Sequence, residues 1–186
     1  MNIKFSDEFS IISEYSRGEA VRTGSYGIGV DHLVLGLIRH KGCRAVRILS
    51  EMGVDTAAMK KFIDSKVFRE NPIPFSEADS VKATRAAASV LNMAAFEALK
   101  TGSEELDSTH LLLAVSLTTD NAASEFLNSQ GITHEAILEA SRPVRKGKDS
   151  GTVQAKAVRF EEMAGALAEQ LSILMDSSGK KTNTLS

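Results

Sequence analysis

Residues 19–58 and 97–136 align without a gap at an offset of 78, and twelve of those forty positions are identical. Ordinary composition would give about three by chance. The identities are Glu19/Glu97, Ala20/Ala98, Thr23/Thr101, Gly24/Gly102, Ser25/Ser103, His32/His110, Leu33/Leu111, Leu35/Leu113, Ala45/Ala123, Leu49/Leu127, Gly53/Gly131 and Ala58/Ala136. Such a duplication restricts the fold to two copies of one supersecondary unit. Two copies of one unit, with no catalytic signature added to them, point to an interaction module rather than an enzyme.

Within each copy the apolar residues recur at helical spacing, and four helices are predicted per copy. The first runs over about 6–22, with Phe9, Ile12, Ser16 and Ala20 on one face, and its counterpart over about 80–100. Thr23-Gly24-Ser25 and Thr101-Gly102-Ser103 end these helices, since glycine just past the last turn takes the left-handed cap conformation. The second helix, His32–Ile38 in one copy and His110–Val115 in the other, is apolar on nearly all sides and belongs at the centre of its unit. The third holds Ala45, Ile48, Leu49 and Met52 (Ala123, Phe126 and Leu127), and Gly53 or Gly131 closes it. Asp55 and Thr133 are N-caps for a fourth helix carrying Met59, Phe62 and Ile63 (Ile137 and Leu138). No segment alternates apolar and polar residues over strand length. The expected fold is therefore all-α: two tandem pseudo-symmetric four-helix repeats plus a C-terminal helix.

The repeats occupy about 5–68 and about 80–143 of a domain spanning 1–144, and Arg69-Glu70-Asn71-Pro72-Ile73-Pro74 joins them in extended form because proline disfavours helix before and at its own position. Residues 145–151 are a polar linker. Over 152–176 the apolar positions Val153, Ala157, Phe160, Ala164, Leu167, Leu171 and Leu174 step by four and three alternately. That heptad stripe predicts an amphipathic helix that either packs back on the repeats or forms a homodimer through Phe160, Leu167, Leu171 and Leu174. Residues 177–186, rich in Ser, Thr, Asn and Lys, read as a disordered tail.

Charge and motif content narrow the function. A net charge of −2, from 22 basic and 24 acidic residues, gives no bulk electrostatic reason to expect nucleic acid or an anionic membrane as partner. The N-terminus MNIKFSDEF lacks a leader pattern and no run approaches the ~20 apolar residues of a membrane span. The single cysteine, Cys43, aligns with Asn121, so it is expected to be a buried structural residue in a reducing, cytoplasmic setting. No cofactor is expected: Gly179-Lys180-Lys181-Thr182 lacks the upstream glycine of a phosphate loop, and His134-Glu135 has Leu138 where a zinc motif needs its second histidine. His32 and His110 lack the further ligands a metal requires and are read as structural. No nucleophile elbow supports a Ser-His-Asp triad.

The stretch Glu19–Ile38 and the exit Leu49-Ser50-Glu51-Met52-Gly53-Val54-Asp55 resemble the signature of the Clp N-terminal domain, the double four-helix repeat that Clp-type AAA+ unfoldases carry ahead of their ATPase modules. The resemblance covers about 5–144, clearly in the first copy and more weakly in the second. It implies a non-catalytic domain that docks substrates and adaptors. With no ATPase motif following, the expectation is a free-standing domain similar to the accessory subunits of plant plastid Clp proteases. The resemblance also implies that the acid of each acid–His pair binds the guanidinium of phosphorylated arginine, with phosphate at nearby helix N-termini. Asp31 keeps that carboxylate and Thr109 lacks it, so at most one such site is expected; otherwise Asp31 is a cap or a first-turn residue favouring its own helix dipole. The functional expectation is an adaptor or accessory protein of a Clp-type protease or chaperone, with proteins as partners. Its alternative is a self-associating protein that has lost the protease connection.

Overall fold

The computed structural model describes residues 3–143. The predicted linker 145–151, the heptad helix 152–176 with Phe160, Leu167, Leu171 and Leu174, and the tail 177–186 lie outside the described residues.

The first repeat consists of α1 (Asp7–Thr23), α2 (Val30–Arg39), α3 (Arg44–Glu51) and α4 (Thr56–Val67). The second consists of α5 (Arg85–Lys100), α6 (Ser108–Ser116), α7 (Ala122–Ser129) and α8 (His134–Ser141). Each helix of the second set starts 78 residues after its counterpart, and the caps move with it. Ser6 and Thr84 accept from the N–H of Phe9 and Ala87; Asp55 and Thr133 accept from Ala58 and Ala136. These side chains satisfy amide groups that a helix start leaves orphaned.

Among the described residues, four two-residue strands add to the expected helices: β1 (Lys4–Phe5), β2 (Gly27–Ile28), β3 (Lys82–Ala83) and β4 (Glu105–Leu106). They form two parallel ladders, β1 with β4 and β2 with β3. Two residues are too few to show a period of two, so pattern reading passes over them. The offset of 78 converts the pair Lys4↔Glu105 into Lys82↔Gly27, so the two ladders are images of one another. Each joins a strand of one repeat to a strand of the other.

The ladder also corrects the predicted start of α5 near residue 80. Phe75–Ser80 is a 3-10 turn, and the backbone after it is committed to the first repeat through Lys82 N–H to Tyr26 O and Thr84 N–H to Ile28 O. Helix begins only where Thr84 caps it.

Helices α2 and α6 form the centre, with Leu33–Ile38 and Leu111–Val115 buried throughout. Leu35, Leu49, Leu113 and Leu127 are at most 1% exposed, as expected from their repeat positions. Helix α1 crosses α2 at backbone distance: a Cβ on Gly36 would stand 2.4 Å from Ser16 Oγ and 2.8 Å from Ile12 O. The counterparts are the buried Ala114 and Ala94, so the second crossing uses two methyl groups where the first uses none and a hydroxyl. At the end of α1, Gly24 adopts φ 82°, and a Cβ there would lie 2.2 Å from Asn71 O. The connection between repeats lies against this corner, its Arg69 and Ile73 N–H groups donating to Thr23 O and Val21 O.

Candidate functional site

The duplicated histidines close the starts of the two central helices. His32 Nδ1 accepts from the N–H of Gly29 at 2.9 Å and His110 Nδ1 from that of Asp107 at 3.0 Å. An accepting Nδ1 leaves the proton on Nε2, which faces Thr23 Oγ1 at 3.0 Å in one repeat and Thr101 Oγ1 at 3.4 Å in the other. Those hydroxyls donate onward to Glu19 O and Glu97 O. Burial holds both imidazoles below the ordinary histidine pKa, against the pull of Asp31 on His32 and of Asp107 on His110. Each imidazole thus links the start of a central helix to the end of the helix before it. Among the described residues no group of three or more His, Cys, Asp or Glu could hold a metal ion. Cys43 is fully buried at the N-cap of α3, and burial raises its thiol pKa, the opposite of a reactive cysteine.

Asp31 stands beside His32 in the first turn of α2, but its carboxylate serves a different helix. Oδ1 accepts from Ala123 N–H at 2.8 Å and Oδ2 from Ala122 N–H at 3.1 Å. These are the first amides of α7, in the other repeat. The cap therefore favours the α7 dipole and fastens the two repeats together. Next to it opens a groove of about 490 Å³ lined by Asp31, Lys66, Asp120, Asn121, Glu125 and Asn128. Asp120 adopts φ 62°, a left-handed conformation that aspartate tolerates, in the turn leading into α7.

At the pseudo-equivalent junction Thr109 lacks a carboxylate, and α1 supplies one. Glu8 Oε1 accepts from Arg44 N–H at 2.8 Å and Oε2 from Ser108 N–H at 3.1 Å, bridging the first residues of α3 and α6. Ser108 Oγ accepts from Ala45 N–H at 3.0 Å, and the Arg44 guanidinium pairs with Asp107 at 3.0 Å. The position equivalent to Glu8 in the second repeat is Ala86. Sequence reading passed over Glu8 because an acid in a first turn reads as complementing its own helix dipole. The available signal was the change from Glu8 to Ala86 across the repeat, coupled to the change from Asp31 to Thr109.

With this geometry in view, comparison with known proteins places residues 4–130 within the Clp repeat (R) N-terminal domain. The chain is 25% identical over 130 residues to the negative regulator of genetic competence ClpC/MecB of Bacillus subtilis (strain 168). It is likewise 25% identical over 130 residues to the chaperone protein ClpB of Oceanobacillus iheyensis. Each alignment covers 70% of this chain and 16% of the relative, so the chain spans only a small part of the length of the curated relatives it matches. No helix among the described residues is long and apolar enough to cross a membrane.

Proposed function

Because the chain belongs to the Clp repeat (R) N-terminal domain family, we propose that it is a non-enzymatic protein-binding module, an adaptor or accessory protein serving a Clp-type AAA+ protease or chaperone. The observation that carries this reading is the family match along residues 4–130, shared with ClpC- and ClpB-type proteins. The groove beside Asp31 supports it: polar, open and built at the meeting of two repeats, it suits an extended segment of a partner. The cap on α7 takes two of the roughly four acceptor positions of a carboxylate. The outward positions of Asp31 then receive the guanidinium of an arginine in that segment, phosphorylated or not.

Affinity purification from native lysate tests the reading, and recovery of a Clp-type ATPase or peptidase is the expected result. Recovery of the chain alone favours self-association through Phe160, Leu167, Leu171 and Leu174, for which the heptad stripe is the supporting observation. Calorimetry with an arginine-phosphorylated peptide tests the groove: Asp31→Asn abolishes any binding, while Thr109→Ala leaves it unchanged.

A further inference from the structure

We propose that the groove beside Asp31 takes an arginine from a second copy of this chain, and that the corner joining α2 to α3 supplies it. The corner is basic: Arg39 closes α2, Lys41 stands in the turn, and Arg44 and Arg47 lie three residues apart on one face of α3, all four exposed. Arg39 lies over the Tyr15 ring at 4.5 Å and Arg44 pairs with Asp107, whereas among the described residues Lys41 and Arg47 have no acidic partner.

The register of the repeats carries this corner onto the groove and reverses its charge. Arg39, Lys41, Arg44 and Arg47 correspond to Leu117, Thr119, Ala122 and Glu125, and Gly42 corresponds to Asp120. The second repeat builds its own helix pair without a cation at any of these positions, so the fold does not call for them. Of the residues lining the groove, Asp31, Asp120 and Glu125 are acidic and Lys66 is basic, and Lys66 is engaged over the Phe62 ring at 5.5 Å.

Two surfaces of one molecule are thus complementary in charge, yet none of the four cations lines the groove of its own chain: α3 packs on α6, while the groove lies where α7 meets α2 and α4. An arginine from this corner therefore reaches a groove only in another molecule. Arg47 is the residue that enters, because its guanidinium has no acidic partner and its planar fork matches a carboxylate better than the ammonium of Lys41 does. One exposed ion pair contributes little, but here several charges of one sign meet several of the other in a concave site. Groove and corner are different surfaces, so each contact leaves one of each free and assembly continues head to tail. The contact also covers the groove, so copies of the chain compete with an arginine-bearing partner segment. The proposal rests on the groove's being a guanidinium site.

Sedimentation velocity of the full-length chain is followed over a range of concentrations at about 0.01 M and about 1 M salt, where charges act over roughly 30 Å and roughly 3 Å. The sedimentation coefficient of the native chain rises further with concentration at low salt than at high salt, and saturating arginine-phosphorylated peptide suppresses the difference. Arg47→Glu and Glu125→Arg each remove the salt-dependent rise, and a mixture of the two variants restores it, since each supplies the charge that the other lacks. Arg47→Gln and Glu125→Gln, each with a several-fold loss of association, take their place where a reversed variant does not fold. No salt-dependent rise in the native chain, a rise that survives in both single variants or in saturating peptide, or a mixture that behaves as its components do would overturn the proposal. Calorimetric binding of the peptide alongside one of those results leaves the guanidinium reading of the groove standing, whereas no peptide binding and no association overturns both.

Discussion

Leu35 and Leu113 sit at the same place in two copies of one unit, and both are enclosed on every side. Truncating either to alanine removes apolar contacts and leaves a cavity, at a cost of about 2–5 kcal/mol. Urea denaturation should show lower midpoints for both variants; an unchanged midpoint for both would contradict the paired-core arrangement. Gly36 faces the opposite constraint, because a methyl group there meets Ser16 and the α1 backbone. His32 and His110 add a dependence on pH. Their folded-state pKa lies below the ordinary 6.5, so the unfolded chain takes up the proton first as pH falls. Their contribution is intact above about pH 6.5 and is lost progressively below it. Melting temperatures between about pH 7.5 and about pH 5.5 should therefore fall with acidity, and a His32→Gln, His110→Gln double variant should show a shallower slope.

Among the elements, α7 depends on a side chain from the other repeat. Asp31→Ala strips two amides of their acceptor and should cost about 1 kcal/mol. The loss should appear as faster hydrogen exchange at Ala122 and Ala123, with the amides of α3 unaffected. The starts of α1, α4 and α8 were legible in the sequence because a cap and its amide lie three residues apart, as Ser6 and Phe9 do, and the repeat doubled the signal at Asp55 and Thr133. The start of α5 was not legible, because the residues before its cap Thr84 are held in a ladder by the first repeat. The ladders and the carboxylate bridges were not legible, since Lys4 pairs with Glu105 and Glu8 bonds Ser108, each across about a hundred residues with no local periodicity to mark it. The candidate site was legible only in part. Asp31 stood out beside the duplicated histidine, but its target on α7 is a tertiary relation, and Glu8 differs from its repeat counterpart in a way that only the fold interprets.

For the whole molecule, the core described within residues 3–143 contains Phe9, Leu33, Leu49, Leu91, Leu111 and Ile137. Deleting residues 145–186 should leave the melting temperature of the double repeat close to that of the full chain. The same deletion should remove any self-association that the full chain shows in analytical ultracentrifugation, if the heptad stripe is its cause; persistence of the oligomer would place the contact on the repeats. The parallel ladders bear on how the chain is made. β1 leaves the ribosome before its partner β4, which follows about a hundred residues later, a wait of roughly 5–20 seconds at ordinary synthesis rates. During that interval the leading half carries an edge that its own sequence cannot pair, so the two halves are completed together, and the order of translation sets the time at which the molecule first becomes whole.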